Sequence, residues 1–179
     1  MFLSDVREQT IKKLKAQTAN MLTLANLMLG GFAIIFCLKG NLNLSLLLIF
    51  VAALADRFDG MVARKLNIES ELGKQLDSMS DIISFGVAPA LLIYQGILFE
   101  FGAPGSFFTI FYIGCGAFRL ARFNISENNG FFTGLPITAA GCLATLSFFA
   151  IPIAPAPFFL FLMIILSFLM ISPFKLRKV

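Results

Sequence analysis

Six apolar stretches, near 20–38, 42–63, 77–98, 105–123, 135–152 and 156–172, fill most of a chain of 179 residues. Each is close to the roughly 20 residues that an α-helix needs to cross the hydrocarbon core of a bilayer. Lipid offers the backbone no hydrogen-bond partner, so such stretches fold as helices that satisfy their own amides. The breaks between them carry turn-forming residues: Asn41 and Asn43, Gly102-Ala103-Pro104-Gly105, Asn128-Asn129-Gly130, and Pro152, Pro155 and Pro157. Only 13% of the residues are charged, against about 25% in a soluble domain. The expected fold is an all-α integral membrane protein, with six transmembrane helices forming one domain over residues 20–173. Pro136 suits the first turn of the fifth helix, whereas Gly86 and Pro89 predict a kink in the third.

The flanks are basic. Residues 1–19 mix Arg7, Lys12, Lys13 and Lys15 with Phe2, Leu3, Val6, Ile11 and Leu14. That pattern predicts an interfacial amphipathic helix, with a floppy basic tail as the other reading. It does not fit a signal peptide, because charge continues to Lys15 and no short apolar run ends in a cleavage site. Residues 174–179 predict a basic cytoplasmic tail. If the six stretches cross in turn, 13 of the 14 basic residues fall on one side and Lys39 alone on the other. By the positive-inside rule, both termini then face the cytoplasm, in a multi-pass protein of the plasma membrane. The net charge of +4 is thus explained by lipid headgroups and topology, with no nucleic-acid partner.

Nine of the ten acidic residues fall on that same side, and four of them stand in a regular array. Asp56 and Asp59 are three apart and Asp77 and Asp81 four apart, so on helices each pair shares a face. Charges at a membrane boundary are costly and by default mark function. Four carboxylates brought together could not all ionise without cations. The chain has no His, and Cys37, Cys115 and Cys142 lie singly in apolar runs, where they read as small buried hydrophobes. Oxygen-only ligation points to Mg²⁺ or Mn²⁺, singly or as a pair, and such a cage suits phosphoryl transfer. With no His, a carboxylate must also serve as the base. Gly60, Ala63 and Gly73 leave room for a ligand or a neighbouring helix.

The whole array is Asp56-x2-Asp59-Gly60-x2-Ala63-Arg64-x8-Gly73-x3-Asp77-x3-Asp81, eight typed positions at fixed offsets. It resembles, without a departure, the signature of the CDP-alcohol phosphotransferase family. That resemblance implies six transmembrane helices, a homodimer, and cleavage of a CDP-linked donor by an acceptor hydroxyl with release of CMP. It further implies that Asp56, Asp59 and Asp77 ligate metal, and that Asp81 is the catalytic base and a metal ligand as well. Gly60, Ala63 and Gly73 would line the nucleotide pocket, with Arg64 anchoring it. Thr23 and Asn26 look like the polar residues that family members place beside the CDP moiety, or else they hydrogen-bond between helices.

Arg119 and Arg122, three apart at the end of the fourth stretch, either mark topology or hold an anion. Their segment, together with Ile83-Ser-Phe-Gly-Val-Ala-Pro89 and Phe132-Thr-Gly-Leu-Pro136, resembles the membrane-embedded phosphatidylserine synthases of bacteria and archaea. That branch implies CDP-diacylglycerol and L-serine as substrates, with an arginine on the serine carboxylate. Acceptors that carry phosphate, as in phosphatidylglycerophosphate synthase or inositol-phosphate-type synthases, would suit paired arginines too. More distant readings are an intramembrane prenyltransferase, which generally has more helices, and a transporter, which would spread its carboxylates over mid-membrane positions on several spans.

Overall fold

Every one of the six apolar stretches is helical. The structure, a computed structural model, describes residues 2–66, 71–125, 131–173 and 175–177, with backbone alone at 2–16, 18, 19, 59, 60, 62–66, 131–133 and 175–177. The helices are α1 (Phe2–Leu38), α2 (Leu42–Leu66), α3 (Glu71–Gly96), α4 (Ala103–Ile125), α5 (Ile137–Ala150) and α6 (Ala156–Ile171). By length and composition, Asn20–Leu38 and Glu71–Gly96 could each cross a membrane, and α5 and α6 are shorter apolar helices. Phe32, Leu47, Phe107, Ile110, Phe161 and Ile165 are each more than half exposed on the outside. An exterior so apolar suits lipid better than water.

The segment expected to lie on the membrane surface, 1–19, is not separated from the first span. α1 runs through residue 20 without a break, since no Gly or Pro interrupts residues 2–29. The side chains that would form its amphipathic face lie outside the described residues.

α3 is the axis of the bundle. Phe85, Ala90 and Ile93 pack with Tyr112, Ile137, Phe159 and Met163 from α4, α5 and α6. Ala88 and Leu92 pack instead with Ala33, Leu46 and Ile49 from α1 and α2. Between these two faces α3 does not kink simply at Gly86 and Pro89. It widens into a π-helical turn over Ile82–Val87 and resumes as a regular helix at Ala88, with Pro89 in the first turn. Pro89 has no N–H to offer the carbonyl four residues back, and that carbonyl, at Phe85, accepts the Tyr112 hydroxyl at 3.2 Å. Gly141 of α5 packs against the same carbonyl, which an added Cβ would meet at 2.5 Å.

Helices alone do not account for the chain. Phe131–Thr133 (β1) and Lys175–Arg177 (β2) form a short antiparallel ribbon, with Phe132 opposite Leu176. Part of the expected basic tail, 175–177, is therefore paired as a strand. The ribbon is tied down beside it. Gly134, at φ 75°, turns the chain directly under the last carbonyls of α6, where a Cβ would come within 2.4 Å of the Met170 oxygen. Leu135 N–H donates to Leu169 O at 3.0 Å, and Arg122 Nη1 donates to Ile171 O at 3.0 Å. These contacts supply partners that a helix C-terminus lacks within itself. As expected, Pro136 stands at the start of α5.

Candidate active site

Asn26 meets Asp56, Ser80 meets Thr23 and Ser78 meets Asn124, so the middle of α1, the end of α2, the start of α3 and the end of α4 lie at one end of the bundle. Lys39 and Glu100 lie in or near the turns at the other end. α2 brings Asp56 to the first end, and α3 brings Asp77 and Asp81 on one face, four residues apart. One carboxylate oxygen from each of these three lies within 4.8 Å of the others. Asp56 and Asp81 are half-buried and Asp77 is exposed. Asp59 follows Asp56 by three residues on α2, and Gly60, Ala63 and Arg64 follow on the same helix. The side chains of those four lie outside the described residues. Gly73 is half-buried in the first turn of α3.

α1 passes behind the carboxylates. Asn26 is fully buried, and its amide nitrogen reaches Asp56 Oδ1 at 3.5 Å. Thr23, one turn earlier, is buried too, and its carbonyl accepts the Ser80 hydroxyl at 3.3 Å. Ser84 donates to the Asn26 carbonyl at 3.1 Å. The sequence reading singled out neither serine. Their four-residue spacing on α3 is the one signal that could have found them, since small polar residues so spaced serve close helix contacts in membranes.

The three carboxylates, all oxygen donors, fit a hard divalent cation. Two buried oxygens, Asp81 Oδ1 and Asn26 Oδ1, have no hydrogen-bond partner among the described residues, as expected where a ligand completes the site. Comparison with known proteins gives the lineage of the site. The model of the CDP-alcohol phosphatidyltransferase family matches residues 16–176. The chain belongs to this family.

Several curated relatives are similar to this CDP-alcohol phosphatidyltransferase. The CDP-diacylglycerol–serine O-phosphatidyltransferase of Bacillus subtilis (strain 168) is 42% identical over 135 residues, 74% of this chain and 76% of the relative. The archaetidylserine synthase of Methanothermobacter thermautotrophicus is 38% identical over 164 residues, 89% of this chain and 69% of the relative. The CDP-diacylglycerol–serine O-phosphatidyltransferase of Helicobacter pylori (strain 26695) is 37% identical over 130 residues, 71% of this chain but 55% of the relative.

The structure separates the two arginines that the spacing paired. Arg119 is 7% exposed and interacts electrostatically with Asp81, while its guanidinium carbon lies 6.0 Å from the centre of the Phe123 ring. Its Nε is buried without a hydrogen-bond partner among the described residues. Arg122 has another task, with Nη1 on Ile171 O and Nη2 3.5 Å from Ser172 O. A groove of about 370 Å³ between α3 and α4, lined by Ser78, Ile82, Leu120 and Asn124 among others, includes none of the three aspartates in its walls.

Proposed function

We infer that this CDP-alcohol phosphatidyltransferase transfers a phosphatidyl group from CDP-diacylglycerol to the hydroxyl of L-serine, releasing CMP. The observation that carries this reading is the meeting of Asp56, Asp77 and Asp81 inside the family-matched region. Serine comes from the relatives: the B. subtilis and M. thermautotrophicus proteins are named for phosphatidylserine and archaetidylserine chemistry, and the two names share the serine.

Asp56, Asp59, Asp77 and Asp81 would hold a pair of Mg²⁺ or Mn²⁺ ions, given four carboxylates at two helix ends. When bound, such cations neutralise the clustered carboxylates and the charge of the donor pyrophosphate. Thr23, Asn26, Gly60, Ala63, Arg64 and Gly73 border the nucleotide. Asp81 accepts the proton of the serine hydroxyl. The freed oxygen bonds to the phosphorus that bears diacylglycerol, and the bond from that phosphorus to the bridging oxygen breaks, so that CMP leaves. Arg119 holds the serine carboxylate through its guanidinium. Arg122, assigned to the acceptor by its spacing, supports this corner of the site from the end of α6.

The reaction is cytoplasmic in this reading: six helices cross the plasma membrane, both termini face inward, and the protein is a homodimer. The lipid substrate reaches the aspartates from the surrounding bilayer. The test supplies purified, reconstituted protein with CDP-diacylglycerol and Mn²⁺, and offers radiolabelled serine, glycerol-3-phosphate or inositol phosphate. The expected result is CMP release coupled to labelled lipid with serine. Consumption of glycerol-3-phosphate with serine ignored would sink the serine assignment.

A further inference from the structure

Three buried hydroxyls in this bundle bond within their own helix. Thr109 donates to Gly105 O at 2.8 Å, Thr145 to Gly141 O at 2.8 Å and Ser167 to Met163 O at 2.7 Å, each four residues back. That is the default for Ser and Thr inside helices. Ser84, like Ser80 one turn before it, departs from it. Although fully buried, it crosses from α3 to the Asn26 carbonyl on α1. The crossing needs close backbones, and Gly30 provides the approach. A Cβ at Gly30 would come within 2.4 Å of Ser84 Oγ and 2.9 Å of Ser84 Cα. Asn26, the residue so gripped, is the one whose side chain reaches Asp56.

We propose that Ser84 is a positioning residue for the reaction: seated against Gly30, it fixes α1 at Asn26, and Asn26 in turn holds Asp56 in register with Asp77 and Asp81. The chain of contacts runs from α3 through α1 to α2 and so closes on the carboxylates that α3 itself carries. Ser84 touches no reacting group. It acts because Asp56 lies on a different helix from its partners in the cage, and the α1 backbone is the common reference for both. Outer contacts of this sort orient the groups that ligate a metal.

The proposal rests on the metal-cage part of the reading above and is independent of which alcohol is the acceptor. Its test measures Mn²⁺ affinity of the full-length protein in nanodiscs, from the electron paramagnetic resonance signal of free Mn²⁺ without substrates. In parallel, kcat and the serine KM are measured. Ser84→Ala is expected to bind Mn²⁺ about tenfold more weakly, with kcat falling and the serine KM holding. Ser167→Ala, which loses a buried hydroxyl bonded within its own helix, keeps wild-type affinity. A second pair guards against misfolding of Ser84→Ala. Gly30→Ala reproduces the loss, while Gly31→Ala, whose Cβ meets nothing within 4 Å, does not. Wild-type Mn²⁺ affinity in both Ser84→Ala and Gly30→Ala overturns the positioning role alone. Absence of saturable Mn²⁺ binding in the wild-type protein overturns the cage and the positioning role together. Use of another alcohol with the Mn²⁺ results intact overturns only the serine assignment.

Discussion

Asp56 and Asp81 stand in the same cage but should fail differently. Asp81 is proposed to take the proton, whereas Asp56, steadied by Asn26, only ligates. Asp81→Asn therefore removes the base and leaves most of the cage, and we expect kcat to fall by about 10²–10⁴-fold with donor binding largely kept. Asp56→Asn should weaken metal and donor binding more. Near-normal turnover in Asp81→Asn would falsify the base assignment. The arginines divide in the same way. Arg119→Ala should raise the serine KM with a smaller change for CDP-diacylglycerol. Arg122→Ala removes hydrogen bonds from a charged donor to the end of α6, so a loss of about 1–3 kcal/mol in stability is expected, read as a lower melting temperature. A serine KM unchanged in Arg119→Ala would return that residue to a role in topology.

At the scale of elements, the sequence signals were good for helices and poor for their irregularities. Long apolar runs with turn residues between them marked six helices, but α1 starts at Phe2 rather than 20 and α3 at Glu71 rather than 77, because polar residues extend a helix that an apolar run has already begun. Gly86 and Pro89 marked the place where α3 is irregular but not its form. Pro89 deletes one backbone donor, and whether the helix then kinks or widens depends on what meets the orphaned carbonyl. Here it is Tyr112, from a helix that begins after α3 has ended. Tyr112→Phe should leave the Phe85 carbonyl buried with that bond lost, costing about 1–3 kcal/mol. A thermal melt in nanodiscs checks it, and a melting temperature equal to wild type would show that the π-helical turn does not depend on this hydroxyl. The β1–β2 ribbon was not anticipated, since three-residue strands are too short to leave a pattern and the pairing spans more than forty residues.

For the whole molecule, the proposed topology puts the aspartate end of the bundle in the cytoplasm. The aspartates, Arg119, Arg122 and the α6 terminus share one end of the bundle, and Lys39 and Glu100 belong to the opposite end. A membrane-impermeant maleimide applied to intact cells should label Asn41→Cys, at an exposed turn of that opposite end, and spare Gln75→Cys, exposed at the aspartate end. Both are made without Cys142, the native cysteine that is not fully buried. The reverse labelling pattern would invert the topology and place the active site outside the cell.

The residues that do chemistry were legible in the chain because the spacings are helical offsets. Three or four residues along one helix put side chains on one face whatever the rest of the molecule does. The eight-position array and the apolar runs thus determined the family, the helices and the aspartates. Tertiary structure decided everything that joins one helix to another. That Asn26 supports Asp56 thirty residues away, that Ser84 crosses to α1, and that Arg119 stands within electrostatic reach of Asp81 while Arg122 caps α6 are outcomes of how helices dock. Docking is set by small steric details, a glycine opposite a serine or a proline opposite a tyrosine, and these are local in space but scattered along the chain.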